Sequence, residues 1–237
     1  MRDRLKDKDY FSNYLAYQNK RIDKFEQIVQ KTIVEKGRDF AGVKTGQIVL
    51  LNFYLDKVSA LYSYGVSLQE IRMLYSSIVK CFVNTWNKDG SYSVLLKVLS
   101  LAVLLEVSKK DCHEVLTHIQ CEKVTDDLIS LMENKLNSDI PRTFDKEPEY
   151  SPYNFLESVV INNDKYQAAM MLKRYLESEW YSGHDDTGWY DSHKDNSEIY
   201  CGYWSYEAGA VAKILQINDD ELKNQPYYPY DMVHNKG

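Results

Sequence analysis

The chain has 237 residues, 44% of them hydrophobic and 27% charged, with a net charge of −6. That length suits one large domain or two small ones, and the apolar content supports a core, which excludes a disordered chain. No apolar run reaches the roughly 20 residues of a membrane helix, and the charged first ten residues lack the apolar stretch of a secretory signal, so a cytoplasmic protein with no membrane partner is expected.

The pattern is helical almost throughout. Over 11–33, Phe11, Leu15, Ile22, Phe25, Val29 and Ile33 recur three, four or seven apart, which predicts one long amphipathic helix stopped by Gly37. A second helix is predicted over 47–64, with Ile48, Leu51, Leu55, Val58 and Tyr62 on one face and Gly65 at its end. Ser67 and Glu70 have the spacing of a capping box, and a third helix follows to about residue 83. The run 94–107 is apolar nearly all round, which places it at the centre of an N-terminal bundle. Shorter helices are expected over 111–120 and 125–136.

Residues 137–152 hold three of the five prolines and no helical period, and read as a linker. The expected organisation is an N-terminal helical domain at 1–136 and a C-terminal one at 153–237. In the latter, helices are predicted over 153–161, over 164–180 with Asn163 as cap, and over 203–215, where A-G-A-V-A permits close helix approach. A loop covers 182–199, and Asp219 and Asp220 cap a short turn. No segment alternates with period two, so the expected class is all-α, two packed helical parts without a sheet.

Charge is uneven. Residues 1–140 carry 20 Lys+Arg against 18 Asp+Glu, a balance of +2, and residues 141–237 carry 9 against 17, a balance of −8. An acidic second part argues against direct nucleic-acid binding and fits a basic partner. Twelve of the 20 tyrosines lie from Tyr150 onward, which favours an interaction surface there. Cys81, Cys112, Cys121 and Cys201 form no C-x-x-C pair and read as reduced thiols.

The most enzyme-like stretch is G-H-D-D-T-G-W-Y-D-S-H at 183–193. Its His184, Asp185, Asp186, Asp191 and His193 are metal-ligand types, which keeps a metal-dependent hydrolase as the alternative. Their irregular spacing on one loop favours a structural or partner-facing role instead. Cys112 and His118, six apart on a helix, do not share a face, so no zinc site is expected there. There is no G-x-S-x-G elbow and no phosphate-binding glycine loop. Glu207 within Y-W-S-Y-E-A reads as a carboxylate bonded to a neighbouring Tyr, Trp or His. Trp180, Trp189 and Trp204 are each large enough to dominate a small helical core.

W-Y-D-S-H-K (189–194), Y-C-G-Y-W-S-Y-E-A-G-A-V-A-K-I-L (200–215) and Y-Y-P-Y-D (227–231) resemble the PoNi family, and L-Y-S-Y-G-V-S-L-Q-E-I (61–71) resembles its first domain. The resemblance implies a helical, cytoplasmic, non-enzymatic immunity protein without a cofactor, which binds a sibling DNase toxin of a bacterial competition system and occludes it. In that reading Trp180, Tyr200, Tyr203, Trp204, Glu207, Tyr228, Pro229, Tyr230 and Asp231 form the structural frame. The expected partner-binding residues are Asp185, Asp186, Trp189, Asp191 and Asp195 on the acidic-aromatic loop. A competing assignment gives Trp189 and Asp191 to the core and leaves only the outer acids for the toxin. A generic helical scaffold with no toxin partner is a further alternative.

Overall fold

Helix α1 (Lys8–Lys36) carries the long apolar repeat, burying Phe11, Tyr14, Ile22 and Val29 in a computed structural model that describes residues 1–143, 146, 148–195 and 197–235. Asp7 caps it by accepting from the Tyr10 N–H. α1 packs along α2 (Ala41–Tyr64), and Gly46 of α2 makes the approach possible, since a Cβ there would lie 2.5 Å from Val29 Cγ2. The buried Gln18 amide is satisfied by the Phe53 carbonyl at 2.8 Å. At the end of α2, Gly65 turns left-handed with φ of 100°. Arg2 donates to the Tyr62 and Val66 carbonyls, so a cation meets the negative helix terminus.

The predicted third helix is two, α3 (Leu68–Arg72) and α4 (Tyr75–Thr85), separated where the Leu74 N–H reaches back only three residues to Ile71. No Gly or Pro marks that break. At the predicted capping box, Ser67 Oγ accepts from the Glu70 N–H while its hydroxyl donates to the Glu70 carboxylate.

Helix α5 (Tyr92–Leu104) buries every residue from Leu95 to its end except Lys97, as an all-round apolar helix should. Leu95, Val98, Leu99, Leu101 and Leu104 are sealed from solvent. α5 is central to the second of two compact units, where α7 and α10 pack against it. Of these neighbours α7 falls within the N-terminal part expected at 1–136, whereas α10 comes from the part expected to form a separate C-terminal domain. α6 (Lys109–Glu122) and α7 (Asp127–Leu136) follow, capped by Ser108 and Asp126. Asp126 accepts from the Leu128 and Ile129 N–H groups and from the Tyr92 hydroxyl, which ties the start of α5 to the start of α7.

By packing, the first unit comprises Met1–Asp89 and Asp191–Gly202, and the second Gly90–Tyr190 and Tyr203–Gly237. The sequence reading divides the chain elsewhere, at 137–152. The described part of that segment is bonded to α7: the Thr143 N–H donates to Ser130 Oγ at 2.7 Å, and the Asp127 N–H to the Lys146 carbonyl at 2.9 Å. Phe144, Asp145 and Glu147 of the expected linker lie outside the described residues.

A 3₁₀ turn at Tyr153–Leu156 leads into α8 (Glu157–Val160), so the helix expected over 153–161 is only partly α. α9 (Lys165–Arg174) is capped by Asp164, not Asn163, through the Tyr166 and Gln167 N–H groups. It then widens into a π turn, Tyr175–Glu179, where the Trp180 N–H reaches the Tyr175 carbonyl five residues back. α10 (Tyr206–Leu215) buries Glu207 through Ala212, and α11 (Tyr230–Val233) ends the described fold. Gly209 of α10 faces Pro229, whose Cγ would lie 2.7 Å from an added Cβ. The protein is all-α, with no strand among the described residues.

Candidate functional site

The π turn sets the direction of Trp180, and an aromatic cluster of the second unit grows from it. The Trp180 carbonyl faces His184 Nδ1, and His184 Nε2 lies 2.9 Å from the Tyr153 hydroxyl. A carbonyl can only accept, so Nδ1 carries a proton, while Nε2 pairs with the Tyr153 hydroxyl. Both ring nitrogens of this buried histidine are therefore used inside the fold.

Around His184 the rings interlock. Trp189 lies 5.1 Å from His184 and 5.5 Å from Trp180, and Tyr203 packs 5.3 Å from Trp189. The Tyr203 hydroxyl donates to the Trp189 carbonyl at 3.2 Å. Tyr181 stacks on Tyr227 at 5.2 Å and lies 4.6 Å from Tyr190. Trp180 and Tyr203 are buried, whereas Tyr181, Trp189, Tyr190 and Tyr227 are half-buried.

Carboxylates anchor the rest of the frame. Glu207 accepts from the Tyr175 hydroxyl at 3.0 Å and from Ser205 Oγ at 2.6 Å. Burial, reinforced by the Glu207 charge, pushes the Tyr175 hydroxyl well above the ordinary tyrosine range, so it stays a donor. Asp219 accepts from the Tyr228 hydroxyl at 2.6 Å and meets His234 Nε2 at 2.9 Å. Tyr228 and Pro229 are buried, Trp204 and Tyr230 half-buried, and Asp231 exposed.

The five expected partner residues do not share one unit. Asp185, Asp186 and Trp189 belong to the second, Asp191 and Asp195 to the first. Asp185, Asp186 and Asp195 are exposed. Asp191 adopts φ of 56° and pairs with Lys194 at 2.8 Å. Asp195 accepts from the Ser197 hydroxyl and N–H, which holds its carboxyl below the usual range.

Tyr200 also belongs to the first unit. Its hydroxyl donates to Asp3, its ring packs on Phe11, and its carbonyl accepts from the Tyr10 hydroxyl at 2.9 Å. Sequence reasoning missed the parts played by Tyr153, Tyr175, Tyr181, Tyr190, Ser205 and Tyr227. The signal it had was the density of tyrosine in this half, which does not say which rings meet.

Among the described residues no three His, Cys, Asp or Glu side chains are placed to hold a metal ion. Among the described residues none of the four cysteines is in a disulfide. No helix is long and apolar enough to cross a membrane among the described residues.

Fold and site together define an all-helical protein with an acidic second unit built round tyrosine, tryptophan and carboxylate. The chain belongs to the PoNe immunity protein (PoNi) family: residues 2–117 match its N-terminal domain and residues 123–232 its C-terminal domain. The crystal structure of protein PA2201 from Pseudomonas aeruginosa is similar in fold, with a TM-score of 0.67 and 16% identity over 92% of this chain and 87% of that one. A comparison with curated proteins finds no match.

Proposed function

We propose that this protein is a non-catalytic, cytoplasmic inhibitor that binds a cognate DNase toxin and blocks its access to DNA. The observation that carries the reading is membership of an immunity family over both matched segments. Charge supports it. The second unit carries 13 Lys+Arg against 22 Asp+Glu, a balance of −9, while the first carries 16 against 13, a balance of +3. A nuclease must present cations to the DNA phosphates, and an acidic inhibitor is drawn to that same surface. Asp185, Asp186 and Asp195 are the outer acids assigned to the toxin, with Trp189 as a partly buried anchor and Asp191 held by Lys194.

The test is co-expression with a nuclease toxin, the first candidate being any nuclease encoded in an adjoining reading frame. Cells making that nuclease alone should die, and cells making both proteins should survive with the two recovered as a complex. Failure to protect overturns the reading. Stoichiometric metal in the purified protein, together with hydrolysis that depends on it, would support the hydrolase alternative instead.

A further inference from the structure

The acidic second unit displays part of its ring cluster to solvent. Tyr181 and Tyr227 lie with planes 5° apart, Tyr190 is beside Tyr181, and Trp189 stacks on the buried Trp180. All four outer rings keep some exposed surface. Tyr227 is held at φ of 69°, a left-handed conformation that a bulky side chain rarely adopts. Strain of this kind persists where surrounding packing enforces it, and it recurs at ligand clamps. Asp185 and Asp186 stand exposed on the turn closed by the Thr187 N–H and the His184 carbonyl, just before Trp189.

We propose that this shelf of rings, with Asp185 and Asp186 on the turn that leads into Trp189, seats an arginine from a basic protein surface. The proposal rests on the immunity reading, in which that surface is the toxin's. A guanidinium is planar, stacks on ring faces and offers a fork of donors to a carboxylate, whereas an ammonium is a compact point charge. The first unit uses the same geometry internally: Arg21 lies 3.9 Å over Phe53, and Arg2 lies 4.6 Å over Tyr62. Nucleic-acid bases also stack on rings, but here their phosphates meet two exposed carboxylates and are repelled.

The test uses the full-length protein, two probes and two sets of variants, with circular dichroism melting to verify folding. The probes are the co-expressed nuclease toxin and a pair of equal-length oligo-arginine and oligo-lysine peptides. The variants are Tyr190→Ala with Tyr190→Phe as its conservative partner, and Asp185→Asn combined with Asp186→Asn, whose exposed side chains leave the core untouched. Tyr190→Ala should speed nuclease dissociation about tenfold while Tyr190→Phe stays near wild type. The double Asn variant should slow association about tenfold at low salt. Oligo-arginine should bind more tightly than oligo-lysine and lose that preference in Tyr190→Ala.

Nuclease binding unchanged in both sets of variants overturns the shelf and leaves the immunity reading intact. Equal binding of the two peptides also overturns it. A wild-type protein that ignores the nuclease but prefers oligo-arginine at Tyr190 overturns the immunity reading and supports the shelf.

Discussion

Glu133 buries a carboxyl oxygen, Oε1, that has no hydrogen-bond partner among the described residues. Burial, with a smaller contribution from Asp126, pushes its carboxyl up to about 7 from an ordinary value of 4.5. Between those values the folded chain holds a proton that the unfolded chain releases. Stability therefore falls as pH rises through that window, and the cost is fully present above it. Glu133→Gln removes the ionisation and, after a discount for solvent screening, should stabilise the protein by on the order of 2 kcal/mol at pH 8, with little effect at pH 4. Chemical denaturation at the two pH values checks this; an equal effect at both would place the cause in packing. Glu207 shows the opposite treatment of a buried acid, because Tyr175 and Ser205 both donate to it.

At the scale of elements, α10 shows what a small residue does. A Cβ at Gly209 would meet Pro229 Cγ at 2.7 Å and Val233 Cγ2 at 3.3 Å. Pro229 is buried and its ring is stiff, so the neighbours must shift. Gly209→Ala should therefore cost about 1–3 kcal/mol despite the better helix propensity of Ala, and a lowered melting temperature would show it. The A-G-A-V-A run predicts close approach, but only the structure identifies α11 and the preceding proline as the neighbours. The long helices are legible because one buried stripe persists over many turns. The break between α3 and α4 and the π turn after α9 are not, since neither carries a Gly or Pro signal.

Across the whole molecule, the acids expected to meet the toxin are spread over both units. Replacing Asp185, Asp186 and Asp195 by Lys shifts the charge further than the double Asn variant does, and should reduce association with the nuclease about a hundredfold at low salt and much less at high salt, because exposed charges are screened. Binding rates measured across a salt series check this, and identical rates before and after would remove these acids from the interface. Sequence alone determined the all-α class, the long helices, the charge asymmetry and the family resemblance, all of which depend on local periodicity, composition and ordered motifs. Only the tertiary structure decided that α5 belongs with α7 and α10, that Tyr200 serves the first unit, and that His184 is enclosed by Tyr153 and the Trp180 carbonyl. Those outcomes depend on which distant side chains meet as the chain packs, and spacing along the chain does not encode that meeting.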